Sequence, residues 1–367
     1  MGIPERRIEV EAFLAEASER AVGRIVLDAR SPGEFAEAHF PGAQSFPLFD
    51  DGERAEVGTL YKEVGRNSAV ERGLELIGPK MADLVRRGRQ VFESQSERKP
   101  LLIYCWRGGM RSGSLSWLLR TAGIPTVVLN GGYKAYKAGL SEQMGRQWPL
   151  IRIGGYTGSG KTEALLALGR QGEQIVDLEG IAKHFGSAFG NLEGHAQPSS
   201  EHFRNLLGEQ LRALDPSRPI WVENESRKIG TVHLPEEFYQ RMIASPTLEM
   251  VRTLDDRVEH LVQMYSAFSP ALLKKGFQGI GQRLSELHGK GALDKACDAV
   301  DAGQLDVAAA MALAWYDPTY QHGLEKRASA DRRLKVDCKG ASFEDCAERL
   351  VTSAASPAFV SLMAEAK

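Results

Sequence analysis

Long hydrophobic runs and paired cysteines are both missing from this chain of 367 residues. No run approaches the roughly 18 apolar residues that a membrane-spanning helix needs, so we expect no membrane span. Residues 1–10 contain no apolar segment of the kind found in secretory signals. The four cysteines form no Cys-x-x-Cys pair, so neither a disulfide framework nor a zinc site is predicted. We therefore expect a cytoplasmic location, where reducing conditions keep a reactive thiol usable.

A strong charge of either sign is also absent, because the formal net charge is −2 at pH 7. Binding to a nucleic acid would therefore depend on local basic patches and not on the global field. Two clusters of basic residues qualify, one at 86–89 and the other at 326–335. We interpret each cluster as a solvated helix face, which is the more common role of such a cluster.

The length of the chain and the order of its predicted elements indicate two α/β domains. In the first, an apolar strand is followed by a second strand, a helix and a third strand, at 24–28, 101–104, 112–122 and 126–129. In the second, a strand and a helix are followed by two more strands, at 150–153, 161–169, 175–178 and 219–222. Alternation of strand and helix favours parallel sheets, and we place the domains at 1–143 and 144–367.

The C-terminal third reads as mostly helical from Asp255 onward. Asp317-Pro318 is predicted to break a helix there, because proline lacks the N–H that a helix interior needs. One last strand is predicted at 333–336 and a closing helix at 343–353.

The first motif that carries chemistry is a cysteine loop, Cys105-Trp-Arg-Gly-Gly-Met-Arg-Ser112, between a predicted strand and a predicted helix. The N–H groups of such a loop point towards the sulfur and any anion above it, and the helix N-terminus adds partial positive charge. Neighbouring arginines favour the thiolate, and glycines permit close approach of the backbone. We predict Cys105 as the catalytic residue. The residues predicted to bind the anion are Arg107, Gly108, Gly109 and Arg111.

The second motif, Gly155–Thr162, is a complete P-loop between a predicted strand and a predicted helix. The N–H groups of residues 156–161 would hold phosphate oxygens, and Lys161 would neutralise phosphate charge. The Thr162 hydroxyl could ligate Mg²⁺, which is therefore a candidate cofactor. The residues predicted to bind a diphosphate are Gly155, Gly158, Gly160, Lys161 and Thr162.

A carboxylate that helps to hold the magnesium ion is expected after a later strand. The candidates are Asp177, Glu223 and Glu225, each of which could equally be a solvated strand end. Arg252 and Arg257 could close over a phosphate or could lie on an ordinary surface helix. The motif leaves ATP, GTP and a non-nucleotide diphosphate open as ligands.

The first 140 or so residues resemble rhodanese domains. The resemblance lies in the strings Asp28–Phe35, His39–Ala43 and Leu129–Tyr133, the last of which is similar to the rhodanese segment after the catalytic helix. We interpret three polar residues of the first string as braces of the fold and not as chemical groups, namely Asp28, Arg30 and Glu34.

One departure from the rhodanese pattern concerns the size of the cysteine loop. Arg111 follows Cys105 by six positions, one more than in the usual sulfurtransferase loop. The longer ring resembles the loop of cysteine phosphatases and suits a tetrahedral oxyanion, which suggests a phosphorus-bearing donor. Tyr104 stands where those phosphatases usually carry histidine, which weakens the phosphatase interpretation.

A rhodanese-like domain followed at once by a P-loop domain resembles the tRNA 2-selenouridine synthase family. Further matching strings are Asp177–His184, Trp221–Ser226 and Tyr316–Tyr320. The resemblance implies an α/β fold: an N-terminal rhodanese-like parallel-sheet domain, and a P-loop NTPase-like α/β domain with a mostly helical C-terminal extension. It also implies a transferase.

The chemistry that this resemblance implies has two steps on 2-thiouridine at the wobble position of tRNA. Geranyl diphosphate first alkylates the sulfur, and selenophosphate then supplies selenium, which Cys105 carries as a selenylsulfide. The implied partners are tRNA and, as a candidate, the enzyme that produces selenophosphate. One alternative is a sulfurtransferase or cysteine phosphatase fused to an ATPase. Another is a nucleotide- or tRNA-binding regulator without enzymatic activity.

Overall fold

The computed structural model describes residues 4–18, 24–184, 189, 196–325 and 332–365. The chain divides into two compact units, Met1–Gln143 and Met144–Lys367. Lys326 and Arg327, which belong to the second basic cluster, lie outside the described residues. None of the helices in the described ranges is long and apolar enough to cross a membrane.

The described residues of the first unit form five strands and seven helices. The strands are β1 (Arg6–Ile8), β2 (Val26–Asp28), β3 (Gln44–Ser45), β4 (Leu101–Tyr104) and β5 (Thr126–Leu129). The helices are α1 (Val10–Ala17), α2 (Pro32–Glu37), α3 (Asp51–Glu63), α4 (Arg66–Ile77), α5 (Met81–Glu93), α6 (Met110–Thr121) and α7 (Gly132–Met144), with a 3-10 turn at Gly78–Lys80.

All strands of this first sheet are parallel, in the order β1-β5-β4-β2-β3. The central strand β4 is apolar along its whole length because both of its faces are covered. Leu101 and Ile103 pack into one hydrophobic cluster, and Leu102 and Tyr104 pack into another. The strand therefore ends with Cys105 fixed at the carboxyl edge of the sheet.

Helix α6 begins at Met110, two residues earlier than predicted, and ends at Thr121. Gly123, which was predicted to stop it, has a φ of +81°, a conformation that favours glycine. The earlier start brings the helix N-terminus directly to the end of the cysteine loop.

The second unit contains a parallel sheet and a short hairpin. The strands are β6 (Leu150–Gly154), β7 (Gln174–Val176), β8 (Ile220–Glu223), β9 (Lys228–Ile229), β10 (Val232–His233), β11 (Thr247–Val251) and β12 (Arg333–Asp337). Five of them form the parallel sheet, in the order β12-β11-β6-β8-β7, and β9 pairs with β10 in antiparallel fashion.

Ten helices accompany these strands in the part of the second unit that the structure describes. They are α8 (Lys161–Arg170), α9 (Leu178–Ala182), α10 (Ser200–Arg212), α11 (Glu236–Ala244), α12 (Leu254–Tyr265), α13 (Pro270–His288), α14 (Ala292–Asp301), α15 (Leu305–Glu325), α16 (Phe343–Ala354) and α17 (Pro357–Glu365). Three of them, α13, α14 and α15, pack around a hydrophobic cluster that includes Phe277 and Leu284. The α/β architecture with a helical C-terminal part is thus the one that was predicted.

The structure corrects three predictions in the C-terminal part. Pro318 does not end a helix but lies inside α15. Strand β11 was not predicted, although it lies next to β6 in the middle of the sheet. The helix at 343–353 does not close the described chain, because α17 follows it.

Candidate functional site

The thiol of Cys105 lies between the end of β4 and the start of α6. It is almost fully buried, and its Sγ accepts a hydrogen bond from Ser112 Oγ at 3.2 Å. Ser112 lies in the first turn of α6, where the partial positive charge of the helix end favours an anion. The sulfur therefore faces a hydrogen-bond donor and the N-terminal turn of a helix.

The backbone of the cysteine loop packs against the segment between β5 and α7. Tyr133 N donates a hydrogen bond to the Cys105 carbonyl at 2.8 Å. Gly108 has a φ of +63°, and a Cβ there would collide with the Leu129 carbonyl. Gly109 has a φ of −93°, and a Cβ there would meet nothing within 4 Å among the described residues. The prediction that close packing requires glycine is therefore correct for Gly108 and wrong for Gly109.

The two arginines of the cysteine loop differ in their surroundings. Arg111 is paired with Glu34, with Nη1 to Oε2 at 2.6 Å and Nη2 to Oε1 at 3.4 Å. Burial would raise the pKa of Glu34, but the hydrogen bond and charge of Arg111 outweigh burial and lower it. Arg107 is exposed. Anion binding by either arginine stays a prediction, and for Arg111 it would require sharing the guanidinium with Glu34.

Three buried polar side chains lie together at the ends of β2 and β4. Arg30 donates to Asp28 Oδ2 at 2.7 Å, and the Tyr104 hydroxyl donates to the same oxygen at 2.7 Å. The Arg30 guanidinium also lies 3.9 Å from the centroid of the Tyr133 ring. Burial and the neighbouring Asp28 raise the pKa of Tyr104 well above its usual value. These contacts agree with the interpretation of Asp28 and Arg30 as braces of the fold.

The P-loop of the second unit joins β6 to α8, as predicted. Its glycines with positive φ are Gly155, Gly158 and Gly160. A Cβ at Gly160 would collide with the Phe343 ring, and one at Gly158 would lie 3.0 Å from Leu261 Cγ. The loop is therefore packed from two sides by residues that are distant in the sequence.

Lys161 opens α8, and its Nζ donates to the Gly155 carbonyl at 3.3 Å. Burial alone would lower the pKa of Lys161, but Tyr320 and several nearby carboxylates raise it. The side chain therefore carries a positive charge at the loop, which is what binding a phosphate requires.

Thr162 lies between two carboxylates. Its Oγ1 donates to Glu223 Oε1 at 2.5 Å, and Glu179 Oε2 is 3.3 Å away. Burial comes first among the causes that raise the pKa of both glutamates, and repulsion from neighbouring carboxylates comes second. Such a cluster favours a nearby cation, because positive charge would allow the carboxylates to ionise.

Asp177 does not share this arrangement. Its side chain caps α9 by accepting the Gly180 N–H at 2.7 Å. The role of Asp177 at a metal stays a prediction, but Glu179 takes the place beside Thr162. Glu179 was not among the predicted residues, and its position in the first turn of α9, two residues after Asp177, is the signal that could have found it.

Among the described residues, no three His, Cys, Asp or Glu side chains are grouped closely enough to hold a metal ion by themselves. Magnesium at phosphate sites needs fewer protein ligands, because phosphate oxygens and water complete its shell. The Thr162 hydroxyl and the Glu223 carboxylate are hard oxygen donors beside the loop. These two side chains therefore fit Mg²⁺.

Helix α15 contacts the P-loop through residues of the Tyr316–Tyr320 string. The Tyr320 hydroxyl accepts the Gly155 N–H at 2.9 Å. Asp317 forms two hydrogen bonds with Arg257, whose Nη1 also donates to the Thr157 carbonyl at 3.3 Å. Arg257 is therefore paired with a carboxylate and holds the loop, whereas it was predicted either to close over a phosphate or to lie on an ordinary surface helix.

These two sites define the class of protein: a rhodanese-like domain with a cysteine loop, followed by a P-loop domain. Family models agree, since residues 10–139 match the rhodanese-like domain and residues 148–288 match the tRNA 2-selenouridine synthase AAA domain. The chain belongs to the tRNA 2-selenouridine synthase family, whose members are named for an enzymatic activity in tRNA modification.

Relatives support this membership over most of the chain. A tRNA 2-selenouridine synthase of Shewanella pealeana is 32% identical over 333 residues, which cover 83% of this chain and 89% of that protein. One of Cronobacter sakazakii is 34% identical over 343 residues, covering 83% and 88%. One of Cupriavidus necator is 38% identical over 251 residues, covering 66% of each chain.

Proposed function

We propose that this protein converts 2-thiouridine at the tRNA wobble position to 2-selenouridine in the cytoplasm. Its proposed substrates are tRNA, geranyl diphosphate and selenophosphate, and the enzyme that makes selenophosphate is its proposed partner. The names of its relatives support the overall conversion. The observation that carries the proposal is the presence of two different loops that lead into helices, one with the Cys105 thiol before α6 and one with Lys161 and Thr162 at the start of α8.

The first step is assigned to the P-loop. The sulfur of the base attacks C1 of geranyl diphosphate, the new S–C bond forms, and the C–O bond breaks. Diphosphate leaves with the electron pair, and the base loses its N3 proton. Lys161 faces the charge that grows on the leaving group. Thr162 and Glu223 would hold Mg²⁺, which when bound would supply further positive charge.

The second step is assigned to the cysteine loop. The alkylated sulfur can leave C2 as geranylthiol, whereas the sulfur of a thiocarbonyl has no such stable form in which to leave. Selenium therefore bonds to C2 of the ring, the C2–S bond breaks, and geranylthiol departs. The N–H groups of the loop and the end of α6 would hold the phosphorus-bearing donor beside Cys105.

Formation of a selenylsulfide from the Cys105 thiol and selenophosphate is a two-electron oxidation, so it requires an oxidant. A thiol and selenophosphate are both fully reduced, so we propose that Cys105 enters as a mixed disulfide with a small thiol. Selenium attacks Cys105 Sγ, the thiol leaves, and water removes phosphate to give the selenylsulfide. Its outer selenium then displaces geranylthiolate from the ring. The small thiol attacks Sγ again, which frees 2-selenouridine and restores the mixed disulfide.

The test uses the purified protein, tRNA that contains 2-thiouridine, and geranyl diphosphate without selenophosphate. The wild type is expected to form S-geranyl-2-thiouridine, as measured by nucleoside mass spectrometry. Lys161→Ala should lower the rate by about a hundredfold or more, because it removes charge from the leaving group. Lys339→Ala, an exposed lysine after β12, is the matched control. Absence of the geranylated product together with ATP hydrolysis that depends on Lys161 would favour the ATPase alternative.

A further inference from the structure

The second unit contains an apolar pocket beside the P-loop. Its empty volume is about 510 Å³, part of it open to solvent. Residues of α12, α13, α14 and α15 line it, and they are almost entirely aliphatic or aromatic, for example Val262, Phe277, Ala309 and Leu305. Such a lining offers hydrocarbon contact and few hydrogen-bond partners.

This pocket is continuous with the P-loop. Thr157, a residue of the loop, forms part of the pocket wall. Leu261 lines the pocket and also lies 3.0 Å from where a Cβ of Gly158 would be. Tyr316 lines it from α15, directly before Asp317, which is paired with the arginine that holds the Thr157 carbonyl. The anion site and the apolar pocket therefore share a boundary.

The chemistry of the pocket selects among the ligands that a P-loop can hold. A nucleobase offers several donors and acceptors, and burying them without partners is unfavourable. A hydrocarbon chain has no such groups, and each methylene that leaves water favours binding by about fourfold. We infer that the pocket receives the hydrocarbon chain of an isoprenoid diphosphate whose diphosphate lies in the P-loop.

Small side chains on α15 leave the space that this chain would fill. Ala308, Ala309 and Ala312 all line the pocket. On another side, the Phe189 and Phe277 rings meet at 5.0 Å in a T-shaped contact. The pocket lining therefore combines small side chains with aromatic rings. The identity of the diphosphate rests on the proposed function, and the new element is the place where its hydrocarbon chain binds.

The experiment measures binding to the full-length protein by calorimetry, with inorganic diphosphate, dimethylallyl diphosphate and geranyl diphosphate as probes. The wild type is expected to bind geranyl diphosphate about thirtyfold or more tightly than inorganic diphosphate, with dimethylallyl diphosphate between them. Ala309→Phe fills the pocket and should remove this gain, while inorganic diphosphate binds as before. Ala314→Phe, on the exposed side of the same helix, should behave like the wild type.

A second variant covers the case in which Ala309→Phe fails to fold, as judged by lost binding of inorganic diphosphate. Val262→Thr keeps the shape of the side chain but adds a hydroxyl to the pocket wall. It should weaken only the binding of geranyl diphosphate, by severalfold. If the wild type binds geranyl diphosphate more tightly than inorganic diphosphate and both variants keep this preference, the pocket assignment is wrong and the proposed function stands. If the wild type shows no gain, or prefers ATP, the inference and the proposed geranyl step fail together.

Discussion

Arg257 of α12 forms two hydrogen bonds with Asp317 of α15, at 2.8 and 2.7 Å. The side chain of Arg257 is 7% exposed, so Asp317 compensates a positive charge that has little contact with water. Because Arg257 also donates to the Thr157 carbonyl, the pair links the helical C-terminal part to the P-loop. The shape of the P-loop is therefore set partly by Arg257, which lies 100 positions from Thr157 in the sequence, and by its partner Asp317.

We expect Asp317→Ala to destabilise the second unit and to weaken the binding of diphosphate. Removing one partner of a buried ion pair leaves an unpaired charge, and with Asp317 partly exposed the cost should be about 2 kcal/mol. Denaturant unfolding measures the stability, and calorimetry measures diphosphate binding, which should weaken about tenfold. Asp306→Ala, at an exposed position of the same helix, is the control. Lower stability with unchanged diphosphate affinity would show that the pair does not shape the loop.

The hydrogen bond from Ser112 to Cys105 leads to a prediction about thiol reactivity. Ser112→Ala removes a donor to the sulfur, and hydrogen bonds to charged groups contribute about 1.5–3 kcal/mol. Alkylation of Cys105 by iodoacetamide at neutral pH should therefore slow by about tenfold or more. Ser116→Ala changes the same residue type in α6, where the hydroxyl bonds Thr126, and it should leave the rate unchanged. Equal rates in all three proteins would contradict the role given to Ser112.

The two glycines of the cysteine loop should tolerate alanine differently. Gly108→Ala combines a positive φ with a collision against the Leu129 carbonyl, so it should cost about 2 kcal/mol or more of unfolding free energy. Gly109→Ala meets open space among the described residues and should cost much less. Thermal unfolding of both variants provides the comparison. Similar losses at the two positions would show that Gly108 is packed no more tightly than Gly109.

The pair of Glu34 and Arg111 predicts a dependence of stability on pH. The pKa of Glu34 is lowered in the folded protein, so its ionised form stabilises the fold above the ordinary glutamate value of 4.5. That contribution decreases as the pH falls below 4.5 and is lost once the pH passes the lower folded pKa.

Glu34→Gln should therefore be less stable than the wild type at neutral pH, and the difference should shrink as the solution becomes acidic. Denaturant unfolding at several pH values measures this difference. Glu11→Gln, an exposed position of α1, should show no such convergence. A difference between Glu34→Gln and the wild type that does not change with pH would exclude the ion pair as its cause.

Local motifs explain why much of both sites could be predicted from the sequence. The strand, glycine loop and helix around Cys105 and around Lys161 are contiguous in the chain, so their pattern is visible without the fold. Strand β11 was missed because its Thr-Leu-Glu-Met-Val sequence mixes polar and apolar residues, although nearly all of it is buried.

Contacts between distant residues account for the parts that could not be predicted. Pro318 inside α15 contradicts the local rule that proline ends a helix, and packing of α15 on α12, α13 and α14 provides the compensation. Tyr320 and Asp317 stand on either side of Pro318, and their contacts with the P-loop and Arg257 depend on that continuous helix. Glu179 reaches Thr162 only because α9 follows β7 at the edge of the same sheet.

The most direct test of the central claim is nucleoside mass spectrometry of tRNA from cells whose only copy of this protein carries Cys105→Ala. We predict that 2-selenouridine disappears while S-geranyl-2-thiouridine accumulates, because the P-loop remains intact. Cys297→Ala, which changes a half-buried thiol in α14, serves as the control and should leave 2-selenouridine at its normal level. Normal 2-selenouridine in the Cys105→Ala cells would contradict the assignment of selenium transfer to the cysteine loop.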